Sequence, residues 1–369
     1  MNFSLAEEQQ LLADALARFV ERDYGFDKRR AIRASAEGWS RDAWAQLADL
    51  GVLGLLVPEE HGGFGGSPID TMIVMNAIGQ GLIVEPYLAT CVIGATLVST
   101  AGSDAQKEAI LADVVAGKRT LALAHIESAR GDEGIATRAA RTGTGWKLDG
   151  VKPVVTHGGQ ADTLIVSALT GNGTSLFLVD RGTGGLQVRD YRTIDGLRAA
   201  DIDLVGVTVG TDALLGADGT ADAHIERALD RGTAALCAEA VGVMEALNRQ
   251  TLDYIKTRQQ FGQPIGRFQA LQHRAADMFV GAEQSKSMAY LAAMKCTSAD
   301  AADRRRAVSA AKAYVGKVGR KLAQEAIQLH GGMGVTDEMP ASHYAKRLIM
   351  MDFYLGDADS HIERFIANG

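Results

Sequence analysis

Apolar positions recur along the chain with two different periods, and the switches between them divide it into three parts. Near the start, Leu5, Leu11, Leu12, Ala15, Leu16 and Phe19 fall at helical spacing and form one stripe. Ser4, with Glu7 three residues on, reads as the capping pair of that helix. The helical period runs on to about residue 118, punctuated by Gly51, Gly54 and the run GGFGG at 62–66. From about 119 to 218 the grammar changes. TLALAHI, GWKLDGVKPVV, TLIVSAL, SLFLVD and DIDLVGVTV are short β-rich runs separated by Gly, Thr and Asp. From about 219 the helical period returns, with one long amphipathic helix over 224–261 and another over 300–330. The pattern predicts an α+β protein: an N-terminal helical domain over 1–118, a middle β domain over 119–218 and a C-terminal helical bundle over 219–369.

Composition narrows the class. Hydrophobic residues make up 47% of the 369 and charged residues 22%, ordinary for a soluble globular chain with a large core. A net charge of −7 argues against a nucleic-acid partner held by phosphate neutralisation. Cys91, Cys237 and Cys296 lie far apart and form no CxxC pair. That speaks against a disulfide framework or a metal site and fits a reducing cytoplasm. The first twenty residues lack a basic leader, and acidic and glutamine residues interrupt their apolar stripe, so no targeting segment is expected. No apolar run reaches about 18 residues, so no membrane span is expected.

Three glycine-bearing stretches invite chemistry. GGFGG suggests a phosphate loop, but no Lys-Ser/Thr follows it and no strand precedes it, which leaves a turn between helices. In TRQQFGQPIGRFQALQHRAADM, residues 257–278, a helix is expected to end at Phe261, turn at Gly262 and Pro264, and restart near Phe268. Arg258, Gln260, Phe261 and Gln269 cluster around that turn. An arginine suits a phosphate bidentately, and Phe261 offers a flat apolar face. In AIQLHGGMGVTDEMP, residues 326–340, a helix ends at His330, and Gly331–Gly332 allow a close backbone approach. Taken singly, each is an ordinary helix terminus, since glycine commonly ends helices.

Taken together with the FSLAEEQQLL start, the VPEEHGGFGGSP segment and the central β run, they resemble the acyl-CoA dehydrogenase family over essentially the whole chain. The RxxFGxPIxxFQxxQ and QxHGGxG pieces carry most of that resemblance. It implies an N-terminal helical domain, a middle β-barrel or sandwich domain, a C-terminal four-helix bundle, non-covalent FAD and tetrameric assembly. By resemblance, Arg258 and Phe261 reach across a subunit interface to the pyrophosphate and adenine side of FAD, with Gln260 and Gln269 nearby. Gln328, Gly331 and Gly332 contribute to the same crossing site. In the middle domain the family's TEPxAGSD run reads Ala124–Asp132, AHIESARGD, and departs from it. The family's W-I-T element reads Val154-Val155-Thr156, keeping the flavin-facing Thr156 and losing the tryptophan.

The implied reaction is α,β-dehydrogenation of an acyl-CoA thioester. It needs a carboxylate of raised pKa to remove the α-proton while the flavin takes the β-hydride. The family most often keeps that glutamate before glycine in a Y-E-G-T element. Here Tyr354-Leu355-Gly356-Asp357 puts leucine in its place, and the interval to the following I-x-R element is about two residues longer. Other members carry it on the long helix about ten residues before a glycine. Counting back from Gly242 lands on Gly232, followed by Thr233 where an arginine often stands. Asp357 and Asp359 are the weak replacements; the alternative is that one of them caps the last helix. Glu239, about two turns beyond Gly232, is expected to pack or form an ion pair. His330 and His361 are expected to act as helix-end donors.

Two expectations follow. In one, the chain is the supporting subunit of a heterotetramer (α2β2) whose other subunit carries the base. In the other, it is a catalytic homotetramer with a displaced carboxylate. Electron-transferring flavoprotein is the implied electron acceptor, and lipid or steroid catabolism the implied setting. Another flavin reaction on the same fold is the minor alternative.

Overall fold

The computed structural model describes residues 5–128 and 134–368. Ser4, and Ala129 to Asp132 of the AHIESARGD run, therefore lie outside the described residues. The chain opens with α1 (Glu7–Asp23), α2 (Phe26–Ala34), α3 (Arg41–Asp49) and α4 (Pro68–Gly81). A π-helix, Leu88–Gly94, leads into α5 (Ala95–Ala101), and α6 (Asp104–Val115) follows. Eight strands come next: β1 (Leu121–Ala124), β2 (Arg138–Arg141), β3 (Gly145–Thr156), β4 (Thr163–Thr170), β5 (Gly173–Asp180), β6 (Leu186–Arg192), β7 (Arg198–Gly210) and β8 (Leu214–Leu215). Then α7 (Asp222–Thr257) leads to a tight hairpin of β9 (Gln259–Gln260) and β10 (Gln263–Pro264). Helices α8 (Gln269–Lys295), α9 (Ala301–His330), α10 (Pro340–Phe353) and α11 (Ala358–Ala367) complete the chain.

These elements gather into two compact units. One holds Ile32–Ser67 and Val84–Gly232, and the sheet is its centre. The strand order is β6-β7-β3-β2-β4-β5-β8, with β1 added in parallel against β4. Alternation explains the register. Along β3, Trp146 and Leu148 are buried while Lys147 and Asp149 face water. Trp146 meets Phe177 edge-on at 5.3 Å inside the sheet's core.

The other unit holds the chain up to Ala31, Pro68–Ile83 and the residues from Thr233 on. Helix α9 packs against α8, α10 and α11, and α1 against α4. Glycines let α4 and α7 touch backbone to backbone. A Cβ on Gly79 would stand 2.1 Å from the Glu239 carbonyl oxygen, and one on Gly242 2.0 Å from that of Asn76. The same crossing buries Glu239 against Arg347, Nε to Oε1 at 2.8 Å and Nη2 to Oε2 at 2.9 Å. Glu239 is thus an ion-pair partner within the helical unit.

Two boundaries differ from the expectation. Helix α1 starts at Glu7, where the Gln9 side chain accepts from the Ala6 N–H at 3.1 Å. Helix α7 stops at Thr257, four residues before Phe261, because β9 and β10 pair around Phe261 and Gly262. Both turn residues are left-handed, at φ 55° and 78°, which no helix can contain.

Candidate functional site

The β9–β10 hairpin projects Phe261 into solvent at 89% exposure, its ring edge-on to Phe268 at 6.0 Å. Among the described residues, none bonds or pairs with the side chains of Arg258, Gln260, Gln269 or Gln328, and all four are exposed. At the end of α9, Gly331 takes φ 59° and ψ −143°, a conformation that belongs almost wholly to glycine. Nothing lies within 4 Å of where a Cβ on Gly331 or Gly332 would stand. A stacked pair, Tyr254 on His330 at 4.5 Å and 28°, brings the ends of α7 and α9 together. The helical unit therefore offers a guanidinium and three amide side chains without partners among the described residues, beside the exposed Phe261 ring. That donor set suits a diphosphate and a flat ring system.

The sheet unit carries the other expected element. Thr156 ends β3, paired in register with Ala199 of β7. It is flanked by two strained residues: Val154 at φ 53° and His157 at φ 56°. A β-branched residue there is a genuine outlier, held because the Val154 N–H donates to Asp201 Oδ1 at 3.0 Å and the His157 N–H to the Arg198 carbonyl at 2.9 Å. Two residues before Val154, Lys152 puts a charge at an inward position of β3 and is fully buried. Its ammonium donates to Glu127 Oε1 at 2.5 Å, Ser167 Oγ at 3.0 Å and the His125 carbonyl at 3.2 Å. Glu127 also accepts from the Ala136 and Thr137 N–H groups. Burial works to raise the Glu127 pKa, but those bonds together with the Lys152 ammonium hold it below the usual carboxylate range. Burial depresses Lys152, and burial followed by the Lys152 charge brings His125 down to about 4. This cluster was not foreseen. The signal for it was a lysine at an inward position of a strand, where a charge requires a partner.

The Tyr354–Asp357 turn is closed around leucine. Leu355 is left-handed at φ 61°, followed by Gly356 at φ 93°. The buried Lys312 ammonium donates to the Asp352 carbonyl at 2.9 Å and the Gly356 carbonyl at 2.6 Å. The His361 ring meets the Leu355 carbonyl with Nε2 at 2.9 Å and Ser309 Oγ with Nδ1 at 3.3 Å. Asp357 caps α11, accepting from the Ser360 N–H at 2.8 Å and the Ser360 hydroxyl at 2.6 Å. Those two bonds hold its carboxyl below the usual range. Asp359 lies on the exposed side of α11, 3.7 Å from Lys317 Nζ. The second expected base position, Gly232, is a buried glycine within α7, followed by buried Thr233. Lys312 also escaped the sequence reading. It sits on the apolar stripe of Val308, Ala311 and Val315, again a charge at a core position.

The order of the described elements, helices, then an eight-stranded sheet, then helices, is that of an α+β chain in three parts. Comparison with known proteins gives the family. Three family models match: the acyl-CoA dehydrogenase N-terminal domain over residues 6–118, the middle domain over 128–208 and the C-terminal domain over 222–368. The acyl-CoA dehydrogenase FadE27 of Mycobacterium tuberculosis is 29% identical, aligned over 99% of this chain and 97% of its own. The Tcur3481–Tcur3483 steroid ACAD superposes at a TM-score of 0.89 with 30% identity, over 99% and 98% of the two chains. The ChsE4–ChsE5 complex from Mycobacterium tuberculosis superposes at 0.90 with 28% identity, over 100% and 98%. The chain belongs to the acyl-CoA dehydrogenase family, FAD-dependent oxidoreductases acting on CH–CH bonds. No helix among the described residues is long and apolar enough to cross a membrane.

Proposed function

We propose that this chain is the supporting subunit of a heteromeric acyl-CoA dehydrogenase, and that a second, related subunit supplies the base. The observation that carries the reading is Leu355. It stands where the family's glutamate is expected, in a turn whose Asp352, Leu355 and Gly356 carbonyls are already engaged by Lys312 and His361. An isobutyl group accepts no proton, and glycine at position 232 offers no side chain at all. The neighbouring carboxylates are committed elsewhere: Asp357 to the cap of α11 and Asp359 to solvent near Lys317. Bringing Asp357 inward would break two hydrogen bonds and uncap the helix, which disfavours the reading with a displaced base.

In this reading the chain's own contribution is binding. A bound FAD would supply the acceptor for the hydride lost from the β-carbon of the acyl thioester. Arg258 would hold the diphosphate by charge-assisted hydrogen bonds, Phe261 would cover an apolar ring, and Gln260, Gln269 and Gln328 would supply further amide contacts. Gly331 and Gly332 leave room for the backbone to approach. In the sheet unit, Thr156 would offer a hydroxyl to a flavin. An apolar groove of about 960 Å³ beside the hairpin, walled by Leu252, Ile255, Met278 and Phe279, is consistent with a chain that works against another subunit. The assembly proposed is α2β2, with electron-transferring flavoprotein as acceptor, in the cytoplasm. The likeness to a steroid ACAD favours a steroid-derived or other bulky acyl-CoA. Domain divisions near 118/119 and 218/219 belong to the same reading.

The test is expression of the chain alone and together with a second acyl-CoA dehydrogenase chain from a neighbouring gene. Size, visible spectrum and bleaching by a panel of acyl-CoAs would be recorded. The reading expects an inert chain alone and a yellow, bleaching heterotetramer with its partner. A yellow homotetramer that bleaches unaided would overturn it and return the base to Asp357 or Asp359.

A further inference from the structure

The stacked pair at the ends of α7 and α9 has a chemistry that its packing alone does not require. His330 is buried, at 3% exposure. Its Nδ1 lies 2.8 Å from the Ala326 carbonyl, so that nitrogen carries the proton. Nε2 then holds a lone pair, and it is buried with no hydrogen-bond partner. Burial keeps the ring below its usual pKa, and so neutral. One face lies on Tyr254. Gly334 closes against the ring's root: a Cβ there would stand 2.9 Å from His330 Cβ. Tyr254 is one turn before Arg258, whose N–H donates to the Tyr254 carbonyl at 2.8 Å. His330 immediately precedes Gly331–Gly332. The stack thus ties together two segments distant in sequence, each bearing part of the donor set.

We propose that His330 and Tyr254 are positioning residues: they form a joint that fixes Arg258 relative to the Gly331–Gly332 turn, so that both act on one diphosphate. This rests on the FAD reading above. The joint explains why an unpartnered imidazole nitrogen is tolerated in a buried place. A ring is needed there for its flat face, and its proton secures it to the end of α9.

The test is flavin affinity of the full assembly after removal of FAD, read by fluorescence titration, with thermal melting alongside. His330→Ala should weaken FAD binding about tenfold or more, as loss of alignment does at a charged site. His330→Phe keeps the flat face and should stay within about threefold. Tyr254→Leu, which leaves the Ala326 bond intact, is the second route and should match His330→Ala. A double-mutant cycle then separates positioning from general loosening. If the joint works through Arg258, His330→Ala and Arg258→Ala together should weaken binding by clearly less than the product of their separate effects. Independent effects, or a His330→Phe variant as weak as His330→Ala, would overturn the joint. A wild-type assembly that takes up no FAD overturns the cofactor reading along with it. A wild type that binds while His330→Ala binds equally well overturns the joint alone.

Discussion

At the scale of single residues, the buried charges decide most of what can be predicted. Glu239 and Arg347 form a two-bonded pair inside the helical unit. Removing one partner strands the other in a dry place, so Arg347→Met should cost about 3–5 kcal/mol in denaturant unfolding. Replacing both, with Glu239→Met added, should recover most of that loss. His125 gives a pH dependence with a definite sign. Its folded pKa is about 4 against an ordinary 6.5. Below 6.5 the unfolded chain takes up a proton that the folded chain refuses. The stability tied to His125 is therefore complete above about pH 6.5, falls as pH drops towards 4, and is flat below. The slope is at most about 1.4 kcal/mol per pH unit, for a total on the order of 3 kcal/mol. His125→Asn, which keeps a polar partner for Ser167, should flatten that window in urea melts at pH 7 and 4.5. Arg258→Ala should weaken FAD binding about ten- to a hundredfold, with the loss shrinking in high salt.

At the scale of elements, the Tyr354–Asp357 turn and the β9–β10 hairpin are the two decisive pieces. Lys312→Met leaves the Asp352 and Gly356 carbonyls without their donor. At roughly 1–3 kcal/mol for each stranded group, thermal unfolding should register a loss of roughly 2–6 kcal/mol. Hydrogen exchange over 353–357 should speed up well before the sheet is affected. The helices were legible because apolar stripes persist over several turns, and the end of α9 at His330 was legible because glycine follows it. The end of α7 was not. Arg258 and Gln260 are compatible with a helix, and only the pairing of Gln259–Gln260 with Gln263–Pro264 stops it. The donors around the hairpin could be named from spacing and resemblance. Lys152, Glu127, His125 and Lys312 could not, because a charged residue in an apolar run does not announce which distant group will neutralise it.

At the scale of the whole molecule, the prediction concerns company. If the chain lacks a base, acyl-CoA turnover should appear only in the mixed assembly. There, Leu355→Ala in this chain should leave turnover within about twofold, because the carboxylate belongs to the partner. A carboxylate-to-amide change at the partner's own glutamate should abolish it. The three-part organisation was legible from the switch of hydrophobic period, since period reflects which faces are buried. The proposed division of labour between subunits rests on a gap in the sequence, at Leu355 and Gly232, taken together with the turn that surrounds Leu355.

The left-handed conformations at Val154, Phe261 and Leu355 set the terms on which this chain can evolve. Each holds a side chain where glycine or asparagine would sit more easily, by about 1–2 kcal/mol before the entropy of a freer unfolded chain is counted. A library selected for heat tolerance alone should therefore accumulate glycine or asparagine at 154, 261 and 355. Flavin retention should decline in the same clones as the aromatic knuckle of the hairpin is lost. Flavin retention and heat tolerance would then pull position 261 in opposite directions, while 154 and 355 would answer to heat tolerance alone. The residue found at 261 in surviving variants would record which pressure had acted.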